Sequence, residues 1–152
     1  QICSGKIQGD REEIIQKCVL IKRDYVVQDE RDTGARQFLN LGHTIGHAIE
    51  ACSSFSISHG HAVAMGMVRM ARGAYRAGLL EEDCSGELAQ AAAVFGMDTR
   101  CPYAPDALIS AASRDKKRGG AFITLVLPEQ IGKCRLQKVP METLFQIIRL
   151  GE

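Results

Sequence analysis

Apolar positions recur at helical spacing through most of the chain, and the period changes only near its end. Asp10 followed by Glu13 resembles a capping box, and Ile14, Ile15, Cys18 and Val19 then return every three or four residues. The spacing predicts a first helix over about 10–27. The charged stretch QDERDTGAR at 28–36 has turn chemistry and reads as an ordered loop, with a second helix from about Arg36 to Ala51. CSSFSIS at 52–58 is too small and polar to predict an element. The Ala- and Met-rich run that follows predicts a buried third helix over 59–77, ended by Gly78. Shorter helices are expected at 81–95 and 105–114. At 121–127 (AFITLVL) and 133–139 (KCRLQKV) strand-forming residues flank the turn PEQIG and predict a β-hairpin. Pro140, suited to a first helical position, opens a last helix through Leu150. No repeat, low-complexity tract or linker interrupts this order. The expected fold is mainly α, a multihelical array with one small β-hairpin in a single domain over 1–152.

Composition changes this picture little. The chain has 152 residues, 45% hydrophobic and 24% charged, enough for one apolar core. A net charge of +1 gives no general case for nucleic acid or an anionic membrane, so an anionic ligand has to be recognised locally. Its apolar runs are short and its first twenty residues carry several charges, unlike a membrane span or a secretory signal. A cytoplasmic location is the default expectation. Six cysteines without a CxxC pair suggest reduced, structural or incidental thiols. The chain starts at Gln1 and is expected to be part of something longer.

Candidate chemistry is concentrated between residues 36 and 67. All four histidines fall between His43 and His61. His43 and His47 are four apart, which places both imidazoles on one helical face. Neutral imidazole suits zinc and neighbouring divalent metals, so His43, His47 and His59 form a candidate three-histidine site. The bland alternative for any one histidine is a satisfied helix end. Gly42, Gly46 and Gly60 serve either tight helix packing or ligand access. Arg36, Asn40, His43 and His47 follow at i, i+4, i+7 and i+11, a polar stripe suited to an anion beside a metal. Lys22, Lys116, Lys117 and Arg118 add positive charge, although RDKKR also reads as a solvated helix end.

The pattern R-x3-N-x-GHTIGHAIE, followed by HG-x-AVA-x-GM, resembles the signature of 3-dehydroquinate synthases within the sugar phosphate cyclases. Lys22, the DERDTG approach at 29–34 and DKK…G…I..VLP..IGK at 115–133 extend the resemblance over nearly the whole chain. It implies His43 and His59 as metal ligands, with His47 moved to the substrate side as a polar or proton-relay group. It implies Lys22 and Arg36 at the substrate carboxylate, and Asn40 with a lysine of the pair Lys116 and Lys117 at its phosphate. His61 stands where the family often carries an acidic residue and is not expected to be a ligand. The third ligand, a glutamate, is implied in an upstream nucleotide-binding half, and no GxGxxG occurs in these residues.

The implied activity is the NAD- and metal-dependent (zinc or cobalt) conversion of 3-deoxy-D-arabino-heptulosonate 7-phosphate to 3-dehydroquinate plus phosphate. It proceeds by transient oxidation, phosphate elimination, reduction, ring opening and aldol closure. The implied partners are that phosphorylated sugar acid, the N-terminal half and a second copy in a homodimer, with neither nucleic acid nor membrane. On its own the domain is expected to bind metal weakly and turn nothing over. Another sugar phosphate cyclase, such as an amino-dehydroquinate or 2-deoxy-scyllo-inosose synthase, or a metal-dependent polyol dehydrogenase, is the enzyme alternative. A non-catalytic helical metal-binding module is the alternative of a different class.

Overall fold

A computed structural model describes residues 11–31 and 34–152, with the side chains of 115–119 left aside. The order is α1 (Arg11–Gln28), a 3₁₀ helix (Ala35–Asn40), α2 (His43–Cys52), α3 (His59–Arg76), α4 (Ser85–Val94) and α5 (Pro105–Gly119), then strands β1 (Phe122–Gln130) and β2 (Lys133–Pro140) and α6 (Met141–Leu150). The fold is mainly α with one antiparallel hairpin, as the periodicity predicts. Among the described residues, no helix is long and apolar enough to cross a membrane.

α3 is the central element. It buries residues on nearly every side, from Ala62 through Met65, Val68 and Met70 to Ala74, which is why its composition is small and apolar all round. Against it and the hairpin pack Ile45 and Ile49 of α2, Leu108 of α5, Leu125 and Leu127 of β1, and Leu144, Ile147 and Ile148 of α6, all fully buried. Each such side chain contributes about 1.5–3 kcal/mol relative to exposure. The hairpin pairs Phe122 with Pro140 through Leu127 with Arg135, with an irregularity between Pro128 and Gln130. Its residues Leu125 and Leu127 face the core and close one end of it. α3 also carries Arg69 and Arg76. Arg69 Nε donates to the Ile148 carbonyl at 2.9 Å and Arg76 Nη1 to Leu150 O at 2.8 Å, satisfying carbonyls that the end of α6 leaves unpaired.

Several boundaries differ from the sequence reading. α4 is shorter than 81–95, α5 runs on to Gly119, and β1 extends into the expected turn as far as Gln130. Pro140 sits at the N-cap rather than the first helical position, and its φ of −59° suits either place. Asp10, the proposed cap of α1, lies outside the described residues, as do Asp32 and Thr33.

The largest correction concerns the second helix. Residues 36–51 do not form one rod: a 3₁₀ helix ends at Asn40, Gly42 adopts φ +78°, and α2 starts afresh at His43. Arg36 and Asn40 therefore do not share a helical face with His43 and His47. The cause is contact with α3. A side chain at Gly42 would meet Met67 N at 2.7 Å, so the chain is bent where a glycine is needed for both conformation and space.

Candidate metal centre

Glycines set the geometry of the site. α2 and α3 touch backbone to backbone: a Cβ on Gly66 would lie 2.8 Å from Gly46 N and would overlap the Gly42 carbonyl. A Cβ on Gly46 would stand 3.1 Å from Val63 Cα. Gly42 and Gly46 are thus explained by packing, whereas Gly60 has open space around it. This close approach brings together His43, the first residue of α2, His47 one turn later, and His59, the first residue of α3. Ring centroids are 5.1 Å apart for His43 and His59, 5.7 Å for His43 and His47, and 5.9 Å for His47 and His59.

The rings differ in how they are held. Nδ1 of His43 lies 3.3 Å from the Leu41 carbonyl, and Nδ1 of His59 lies 3.2 Å from Oε1 of Glu50. Since each oxygen only accepts, each Nδ1 carries the proton, leaving the Nε2 lone pair as donor. Such anchoring is the usual condition of a metal-ligating imidazole. His47 is exposed and opens onto a cleft between α2 and α5, lined also by Thr44, Ala48, Ala111 and Arg114. His61 is directed elsewhere, its Nε2 donating to Asp98 O at 2.6 Å.

Burial holds the His43 pKa below its ordinary 6.5; the nearby His59 and His47 lower it further, against the opposing pull of the Leu41 hydrogen bond and of Glu50. His43 is thereby neutral near pH 7, the form that donates to a metal. Ligand atoms of His47, Glu50 and His59 all lie within 4.8 Å of one another. Imidazoles with a carboxylate beside them form a donor set that fits zinc and related divalent ions.

The remaining predicted residues lie on α1, the 3₁₀ helix and α5. Lys22 is exposed on α1, which meets the 3₁₀ helix through Tyr25 and Phe38, their rings 6.3 Å apart. Arg36 Nη1 donates to Glu30 O at 3.0 Å, while Asp29 accepts from the backbone of Gly34 and Arg36 at 2.7 and 3.1 Å. The 29–36 segment is thus an ordered loop over its described residues. Asn40 is exposed at the end of the 3₁₀ helix. Lys116 and Lys117 belong to the last turns of α5, and their side chains lie outside the described ones. Two residues were missed by the sequence reading. Glu50 follows His47 at i+3, a spacing that already signalled a shared face, and Arg114 opens the RDKKR run. Cys84 is buried and Cys52 and Cys134 are partly buried, and burial pushes all three thiols above the ordinary range, which disfavours the reactive thiolate.

The chain is a mainly helical domain with one antiparallel hairpin, in which two glycine-locked helices bring three imidazoles together. Its residues 3–118 match the family model described as 3-dehydroquinate synthase C-terminal, and the chain belongs to that family. It is similar to the 3-dehydroquinate synthase of Streptococcus suis (strain 05ZYH33), 38% identical over 139 residues, covering 90% of this chain and 39% of that protein. The Pyrococcus abyssi 3-dehydroquinate synthase is also 38% identical, over 94% of this chain and 42% of the relative. The chain thus spans about two fifths of the length of these relatives.

Among solved structures, 2-deoxy-scyllo-inosose synthase complexed with carbaglucose-6-phosphate, NAD+ and Co2+ aligns with TM-score 0.75 and 27% identity, over 91% of this chain and 41% of that one. A 2-epi-5-epi-valiolone synthase from Streptomyces hygroscopicus subsp. jinggangensis 5008 shares the fold, with TM-score 0.73 and 19% identity, over 92% of this chain and 39% of that one.

Proposed function

We propose that this chain is the metal- and substrate-binding half of a 3-dehydroquinate synthase, a phosphate-eliminating carbon–oxygen lyase of the shikimate pathway. The substrate is 3-deoxy-D-arabino-heptulosonate 7-phosphate, and the products are 3-dehydroquinate and phosphate. The observation that carries the reading is the pair of anchored imidazoles, His43 and His59, each with Nδ1 held and Nε2 left to donate. His43 and His59 would hold a zinc or cobalt ion, with a third ligand from an upstream nucleotide-binding half. The ion would supply Lewis acidity at a substrate hydroxyl, and NAD, carried mainly by that upstream half, would supply hydride-transfer chemistry.

The chain's own side chains bind and orient. Lys22 and Arg36 take the substrate carboxylate, where a guanidinium offers forked donors. Asn40 and a lysine of the pair Lys116 and Lys117 take the phosphate. His47, exposed at the α2–α5 cleft beside Arg114, relays protons at the substrate. Holding both anionic ends fixes one orientation through a multistep sequence. The upstream half covers the open side of the site and the exposed apolar residues of α1, and the assembled enzyme is a cytoplasmic homodimer.

Joining this chain to its upstream half, with NAD and zinc, is expected to release phosphate from the heptulosonate phosphate. No release contradicts the synthase reading, and robust turnover by this chain alone contradicts the two-half arrangement. The likeness to 2-deoxy-scyllo-inosose synthase supports a second cyclase reading. A hexose 6-phosphate, which lacks the carboxylate, separates the two: the synthase reading predicts turnover of the heptulosonate phosphate and not of the hexose phosphate.

A further inference from the structure

Glu50 stands in an unusual environment. It lies in the last turn of α2, where a negative charge faces the negative end of its own helix, an unfavourable arrangement. Its side chain is only 12% exposed, so the carboxylate has surrendered most of its water. What it gains is His59, the first residue of α3, whose Nδ1 is 3.2 Å from Oε1. That position is also the positive end of α3.

The chain bends around Glu50 to keep it there. Its carbonyl accepts from Ser53 Oγ and from Phe55 N, both at 2.8 Å, and Ser53 Oγ in turn accepts from Ile57 N at 3.3 Å. Ser54 and Phe55 adopt φ of +51° and +62°, and Phe55, an exposed aromatic, gains no burial in return. Backbone strain of this kind persists where the surroundings fix a functional geometry.

We infer that Glu50 is a positioning residue for His59: its carboxylate accepts the Nδ1 proton, fixes the ring with Nε2 as metal donor, and is held for this task by the strained 53–58 turn. The metal part of this inference rests on the metal-binding reading above; the tautomer part does not. A carboxylate behind an imidazole also makes the ring a stronger donor than a neutral carbonyl does, so His59 outranks His43, which is anchored on Leu41 O.

The test combines long-range ¹H–¹⁵N spectra of the metal-free chain with zinc and cobalt affinity measured against a chromophoric chelator, on the native chain, E50Q and E50A. His59 is expected as the Nδ1–H tautomer in the native chain and in E50Q, whose amide oxygen still accepts. In E50A it moves toward the Nε2–H form favoured by free imidazole. Metal affinity falls about 10–100-fold in E50A and recovers in part in E50Q. The His43 tautomer, held by Leu41, stays unchanged and shows that the fold survives.

An unchanged His59 tautomer in E50A overturns the inference. So does E50Q losing as much affinity as E50A while keeping its tautomer, which would make Glu50 a direct ligand. A native chain that keeps the Nδ1–H tautomer but binds neither ion overturns the metal-binding reading and leaves the positioning of His59 standing.

Discussion

α1 and the α2–α3 pair are both helical and both rich in apolar residues, yet they stand in opposite conditions. α1 buries none of its residues: Ile15, Val19, Ile21 and Val27 are between 55% and 78% exposed. α2 and α3 bury Ile45, Ile49, Met65 and Met70 and approach until backbone meets backbone at Gly42, Gly46 and Gly66. Periodicity creates a helix in each case. Only a packing partner turns the helix into a structural element, because most helical stability in proteins comes from tertiary burial. The site follows the same division, since the histidines stand on the locked pair and Lys22 stands on α1.

The comparison breaks most readily at Gly66. Gly66→Ala drives a methyl into the Gly42 carbonyl, a backbone atom that cannot step aside, and is expected to cost about 3 kcal/mol or more, at the severe end of overpacking. A urea melt measures this as a lower midpoint. Core and α1 substitutions sharpen it next. Ile49→Ala, fully buried, should lose about 2–5 kcal/mol, whereas Ile15→Ser with Val19→Ser should change stability by no more than about 0.5 kcal/mol each. Equal losses in the two regions would show that α1 is packed in solution.

The smallest effect is electrostatic. His43 has a folded-state pKa below 6.5, so between that lowered value and 6.5 the unfolded chain binds more protons than the folded one. Stability of the metal-free protein therefore rises with pH across this window and is lost as pH falls through it. His43→Gln removes this component, and the slope of stability against pH between 5 and 7 should flatten.

Much of the fold was legible from local pattern. α3 was bounded almost to the residue because the small, polar 52–58 stretch precedes it and Gly78, at φ +73°, follows it, and the hairpin announced itself by its change of period. The break at Gly42 was not legible, since RQFLNLGHTIGHAIE reads as continuous helix until Val63 and Met67 of α3 are placed against it. The convergence of His43, His47 and His59 was signalled by spacing and by their cluster in the sequence. What separated them was invisible there: Leu41 and Glu50 anchor two rings and leave the third at an open cleft. The exposure of α1 was equally hidden, because an apolar stripe states that a helix has a face to cover and not what covers it.

The central claim is that His43 and His59 hold the metal while His47 faces the substrate. Zinc titration of the native chain and of His43→Ala, His59→Ala and His47→Ala, each against a competing chelator, tests it most directly. The account predicts that the first two variants lose more than the roughly 100-fold that changes behind the ligands reach, with His47→Ala close to the native chain. A His47→Ala variant that loses zinc as completely as the other two would contradict it and restore a three-histidine site.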